Sequence, residues 1–194
     1  ACAEAVAAEV GGTTEGGRFA RDGEWRTLAV TAGMDLQDSR HRERSAMGVG
    51  AYATMPWTDD AEFRNTGLFA EAKWTLQAGN RVVAGARVDR ARVTDLRAGA
   101  GMMGLPNPTY LQTRRETLPA GFARYEHDIA GTGLGWYAGL GHTARMPDYW
   151  ELISHDTGPM GSPNAFAGIW PEMPTPADVG MKLRAGKLND WLSA

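Results

Sequence analysis

The chain has 194 residues, room for one large or two small domains. Its formal net charge of −3 is too small to argue for nucleic acid as a partner or for attraction to an anionic surface. Hydrophobic residues make up 43% of it, its mean hydropathy is −0.37, and no apolar run approaches ~18 residues, which excludes a transmembrane helix. Transmembrane strands stay allowed, because only every second residue of such a strand meets lipid.

The single cysteine, Cys2, forbids an intrachain disulfide and reads as a small apolar residue. No charged segment followed by an apolar one opens the chain, and Trp191-Leu192-Ser193-Ala194 reads as the middle of a strand, so both ends are expected to be cut from a longer protein.

A short strand is predicted near residues 13–20, then a tight turn at Arg21-Asp22-Gly23-Glu24. The clearest strand follows over residues 26–38, with Leu28, Val30, Ala32, Met34 and Leu36 on one face and Thr27, Thr31, Gly33, Asp35 and Gln37 on the other. A polar loop is expected over 39–65, opening with the outward basic cluster Arg40-His41-Arg42-Glu43-Arg44, which is either solvated or suited to lipopolysaccharide phosphates.

Residues 67–93 form the best hairpin. Leu68, Ala70, Ala72, Trp74 and Leu76 must share a face with Val82, Ala84, Ala86 and Val88. A three-residue loop, Ala78-Gly79-Asn80, satisfies this by setting Leu76 against Val82 and Glu71 against Arg87. A second long loop is expected over 94–116 and a poorly alternating strand over 117–128, followed by a turn at Ala130-Gly131-Thr132-Gly133. Leu134, Trp136, Ala138 and Leu140 then alternate with Gly135, Tyr137, Gly139 and Gly141. A third long loop covers 145–176. Val179, Met181 and Leu183 lead to the last turn at Arg184-Ala185-Gly186-Lys187.

Tight turns alternating with long loops, around about eight strands, predict an all-β antiparallel transmembrane barrel in which short turns face the periplasm and long loops the outside. Trp25, Trp74, Trp136 and Trp191 each fall near a short turn, as an interfacial aromatic girdle requires, although Trp25 breaks parity with Leu28. The alternative is a soluble β-sandwich with these aromatics in its core.

Several blocks in order carry a resemblance. They are Asp60-Ala61-Glu62-Phe63-Arg64 with Gly67-Leu68-Phe69, Arg115-Glu116-Thr117-Leu118-Pro119 with Gly121-Phe122, residues 139–152 ending Met146-Pro147-Asp148-Tyr149-Trp150-Glu151-Leu152, then Asn164-Ala165-Phe166 and Pro171-Glu172. Together they resemble the TonB-dependent outer-membrane receptors, and among these the copper-receptor branch. The resemblance covers residues 11–194; residues 1–10 match poorly. It implies an energised importer in the bacterial outer membrane: a 22-stranded barrel occluded by an N-terminal plug, on which a periplasmic energy-coupling protein, TonB, pulls. It also implies contact with outer-membrane lipid and lipopolysaccharide. In the copper branch, soft ligands hold the metal: a Cys and a Met from the plug and a His-x-Met pair of the barrel, donors suited to Cu(I).

This sequence contains no plug, no Cys-x-x-x-Met and no His-x-Met, and block order puts that last pair just upstream of the first residue. The chain is therefore expected to be about eight strands of the larger barrel, an open curved sheet in isolation. No cofactor is expected; copper enters as cargo. Met102, Met103 and Met160, with His155, are the candidates for secondary soft-metal contacts in the outer loops, while Met34 and Met181 belong to apolar strand faces. None of the four histidines has a partner at metal spacing, so solvated His is the default reading.

Catalysis finds no support. Ser154-His155-Asp156 holds the letters of a triad, but consecutive residues cannot converge as one. Two classes of function stay open: outer-membrane transport of copper, or of a siderophore or other metal chelate, and a soluble β-module binding through its loops.

Overall fold

The computed structural model describes residues 6–47, 51–100, 105–153, 166, 169–185 and 188–193. Four long strands come first: β1 (Val6–Trp25), β2 (Leu28–Met47), β3 (Thr58–Gln77) and β4 (Asn80–Asp95). A small hairpin of β5 (Gly99–Ala100) and β6 (Leu105–Pro106) precedes β7 (Thr113–Asp128) and β8 (Leu134–His142). A one-turn helix, α1 (Tyr149–Leu152), lies in the next connection, before β9 (Ala177–Ala185) and β10 (Leu188–Ser193). Eight strands form one sheet in the order β1-β2-β3-β4-β7-β8-β9-β10, every neighbouring pair antiparallel. Among the described residues nothing pairs β1 with β10, so the sheet is open. The antiparallel, all-β, eight-stranded expectation is what the chain forms.

Register sorts the side chains onto two faces. Leu28, Val30, Ala32, Met34 and Leu36 of β2 stand opposite Trp74, Ala72, Ala70, Leu68 and Thr66 of β3. On β4 the same rows continue as Val82, Ala84, Ala86, Val88 and Arg90. Leu140, Trp136, Val179, Met181 and Leu183 extend the apolar face across β8 and β9. Many of these side chains are exposed and the rest half-buried: Leu68 is 55% exposed, Leu140 65% and Val179 58%. A soluble sandwich would cover such a face with a second sheet. Left bare over β2, β3, β4, β8 and β9, it is a surface for lipid.

The long strands have a reason. Twenty residues at ~3.3 Å each, tilted ~45°, rise about 45 Å, well beyond the ~25 Å apolar band of an outer-membrane barrel. The band occupies residues 28–36 of β2, 68–76 of β3 and 82–88 of β4; the remainder of these strands projects past it. This corrects the first loop. Residues 39–47 and 58–65 belong to β2 and β3, leaving 48–57 as the connection.

Two turns differ from expectation. β1 runs through 21–24 and turns at Arg26-Thr27, where Arg26 has φ 39°. Trp25 then pairs directly with Leu28, so the two share a face after all. The parity break was an effect of placing the turn too early. Trp25, Trp74 and Trp136 are 62%, 51% and 40% exposed at the short-turn end of the apolar face, and Tyr125 packs against Trp136 at 5.5 Å. Trp191 is in register with Lys182 rather than with Met181.

The β3–β4 hairpin has a two-residue loop, Ala78-Gly79, with Gly79 at φ +84° and Gln77 paired with Asn80. A bulge at Leu76 restores the apolar match, setting Trp74 against Val82. The whole hairpin is shifted by two residues from the three-residue-loop register. Glu71 therefore faces Gly85, and Arg87 faces Phe69. The turn near 130–133 is as expected, and the last one falls on 186–187, outside the described residues.

Candidate functional site

The polar face carries a ladder of charges supplied by alternate residues of successive strands. The Arg18 guanidinium donates to Asp35 at 2.6 Å. Arg87 bridges Asp35 and Asp89, and the Asn65 amide donates to Asp89 at 2.7 Å. Nearer the short turns, Arg81 meets Glu126 at 2.5 Å and the buried Lys182 meets Asp128 at 2.5 Å. These pairs set opposite charges side by side along the wall. Between the two groups lies a depression of about 680 Å³ lined by Phe69, Arg87, Phe122, Arg124, His142 and Asp178 among others.

Glycines let rings and backbone settle against this wall. The Phe122 ring covers Gly85, where a Cβ would come within 2.5 Å of it. A Cβ on Gly33 would fall 2.2 Å from the Phe19 carbonyl oxygen and 2.8 Å from the Phe69 ring. The result is a thin polar wall with many donors and acceptors. It suits passage of a hydrated solute or contact with another polar segment.

At the long-loop end the connection holding α1 folds onto this face. Asp148 caps α1, accepting from the Glu151 amide at 3.0 Å while the Glu151 carboxylate accepts from the Asp148 amide at 2.7 Å. The Arg145 guanidinium holds Glu151 from behind at 2.9 Å. So braced, α1 drives Tyr149, Leu152 and Ile153 into a small core with Ala61 of β3 and Val93 of β4. Ala61 and Val93 are wholly buried there, and Phe63, Met146 and Phe166 pack around them.

A bulge between His41 and Arg42 turns both Asp60 and Ala61 inward. The Tyr149 hydroxyl donates to Asp60 at 2.7 Å, and the His41 ring stacks on Tyr149 at 4.4 Å. Asp60 lies beyond the apolar band. Burial pushes its carboxyl up to about 6; the Tyr149 hydrogen bond opposes this and the Glu43 charge adds to it. Burial likewise lowers His41 from the usual imidazole value. His41 is thus a packed ring, not the solvated one expected of a loop.

The connection from 96 to 112 is pinned at the same end. Asp95, fully buried, accepts from Arg97 at 3.0 Å, Asn107 at 2.8 Å and Thr109 at 2.7 Å. Burial alone would raise this carboxyl, but those hydrogen bonds outweigh it and hold it below the usual range. Arg97 also donates to the Ile153 carbonyl at 2.7 Å, tying this connection to the one that carries α1. Neither cluster was evident in the sequence.

Met102, Met103, Met160 and His155 lie outside the described residues, as does Cys2. Among the described residues no group of His, Cys, Asp and Glu is arranged to hold a metal ion. His142 bonds Thr175 at 3.1 Å and His127 bonds Asn80 at 2.7 Å, each with a local partner. Met181 lies exposed on the apolar face, and Met34 stands in that face's register, as expected.

Comparison with known proteins agrees with this architecture. A search of curated proteins returns no match. Among solved structures, the copper transporter OprC is similar, with a TM-score of 0.85 and 41% sequence identity over 97% of this chain. The chain spans 31% of that protein's length. The family described as TonB dependent receptor-like, beta-barrel matches residues 7–193. An open antiparallel sheet with one bare apolar face, one charged face and long connections at one end is a stretch of such a barrel, and the chain belongs to the TonB-dependent receptor family.

Proposed function

We propose that this chain is part of the wall of a TonB-dependent transporter that brings copper across the bacterial outer membrane. The observation that carries the reading is the 41% identity to the copper transporter OprC over 97% of the chain, with a TM-score of 0.85. On this reading residues 11–194 continue into a larger barrel of 22 strands, whose plug and TonB contact are supplied elsewhere in the receptor. The apolar face meets lipid, and the charged face borders the path. Met102, Met103, Met160 and His155 act as secondary soft donors on the outer side, where thioether ligands favour Cu(I) over harder ions.

The test is metal accumulation by cells that depend on the intact receptor. Copper uptake is expected to require both the receptor and its energy coupling. Replacing Met102 and Met103 together by Leu is expected to lower uptake at limiting copper several-fold, on the order of the loss of one soft contact. Accumulation of a ferric chelate without copper would transfer the reading to the siderophore or metal-chelate receptors. Unchanged copper uptake in the double variant would remove the two methionines from the path while leaving the transport reading in place.

A further inference from the structure

A charge stands in the middle of the apolar face, on β1. Arg18 and Asp22 bond Asp35 and Thr31 on the polar face, so alternation sends Phe19, Arg21, Gly23 and Trp25 to the other side. Register agrees, pairing Phe19 with Met34, Arg21 with Ala32 and Trp25 with Leu28. Band residues 28–36 of β2 pair with 17–25 of β1, and Arg21 is central in that stretch. It is exposed, and among the described residues it makes no ion pair or hydrogen bond.

A lone guanidinium at that depth is among the costliest groups a lipid-facing wall can carry. Long cationic side chains escape by running along the wall to the interface, but both directions along β1 are occupied. Towards the short turn the Trp25 ring lies over Gly23, where a Cβ would fall 3.0 Å from it. Towards the long loops stands Phe19, 65% exposed. Across the sheet the row continues as Ala32, Ala70 and Ala86, side chains with no acceptor to offer. The remaining side is the free edge of β1. A carboxylate is the group that completes a guanidinium bidentately. A strand paired to that edge would bring its own outward side chains to about 4.5–5.5 Å from those of β1, Cβ to Cβ.

We propose that the strand seated on the free edge of β1 in the intact receptor carries an Asp or Glu opposite or diagonal to Arg21, and that this ion pair keys the register in which the wall closes there. The proposal rests on the outer-membrane reading above. Out of water, an ion pair gains little over two apolar residues, but either partner alone is strongly unfavourable. A neighbouring strand slipped out of register leaves both charges alone, so the pair selects one register.

The experiment uses the intact receptor in outer membranes. The temperature at which it loses its heat-modifiable form is compared for wild type, Arg21→Leu and Arg21→Lys. Leucine relieves an unpaired cation that faces lipid, whereas it strands the carboxylate of a pair. Arg21→Leu is therefore expected to lower that temperature by several degrees, and Arg21→Lys, which keeps the charge, to lower it less. An unchanged or raised temperature for Arg21→Leu overturns the proposal. A second measurement decides even where Arg21→Leu does not assemble. Arg21→p-benzoylphenylalanine is irradiated in whole cells and the cross-linked product is sequenced. Capture of the receptor's own neighbouring strand, with an Asp or Glu within about two positions of the cross-link, supports the proposal. Capture of lipid, of a different protein or of a strand without such a residue overturns it, as does the absence of any adduct. Fractionation of the receptor away from the outer membrane would instead sink the transport reading, a result distinguishable from any of these.

Discussion

Asp60 is a carboxyl held where a charge is unwelcome. It is 4% exposed, accepts from Tyr149 and lies close to Glu43, so its proton is retained up to about pH 6. Released from this contact, it would titrate near 3.8. The docked state thus binds the proton more tightly than the undocked one. Docking of α1 is fully supported below about pH 4 and loses support as pH rises through about 6, by at most about 3 kcal/mol. Amide exchange of residues 149–152 in the intact receptor, corrected for intrinsic rates, is expected to be slower near pH 5 than near pH 7.5. Asp60→Asn, which keeps an acceptor for Tyr149, is expected to flatten that difference. Equal protection at both pH values in the wild type would show that the Asp60 proton does not govern docking. Contacts of this kind were not legible beforehand. Tyr149 and Asp60 are 89 residues apart, and periodicity says nothing about which loop residue returns to which strand.

Elements were more legible than contacts, because alternation reports a face directly while a turn reports only an approximate place. Residues 28–36 announced their lipid face, and the same logic grouped Leu68 to Trp74 with Val82 to Val88 correctly. It could not choose between registers two residues apart, since a shift of two preserves every face. The choice fell to the bulge at Leu76, an extra residue that leaves no mark in the pattern. Strand length was underestimated for a related reason. Beyond the band, β2 and β3 become charged on both sides, so Arg40 to Arg44 read as loop although the backbone remains paired as far as Met47. The register is open to direct measurement. Ala70 stands opposite Ala86 on the lipid face. Ala70→Cys with Ala86→Cys is expected to oxidise to a disulfide in the membrane, because directly opposed Cβ atoms lie about 4.5–5.5 Å apart. Ala72→Cys with Ala86→Cys, which the three-residue loop would have opposed, is expected to stay reduced. The reverse result would restore the longer loop and abolish the bulge.

At the scale of the whole molecule, the governing fact is that, among the described residues, two strands of the sheet have a free edge. β1 presents 20 residues on one side with only β2 beside it, and β10 presents a shorter edge beside β9. Each free edge carries unpaired N–H and C=O groups, which cost several kcal/mol apiece in hydrocarbon. A barrel removes both edges by pairing them, and eight strands shaped for a wider wall cannot do so alone without changing tilt and shear together. Intermolecular pairing is the remaining route, and a long edge such as β1 favours it. Residues 1–194 refolded by themselves into detergent are therefore expected to self-associate as concentration rises, with no heat-modifiable monomer on gels. Placing Pro at Thr13 and Pro at Gly17 of the free β1 edge is expected to reduce that association where those amides point away from β2, since proline offers no donor to a new partner. The intact receptor carries these same strands inside a closed wall and is expected to stay monomeric at equal concentration. A heat-modifiable, monomeric species from the isolated chain would mean that its eight strands close on themselves, with a curvature unlike that of the receptor wall they match.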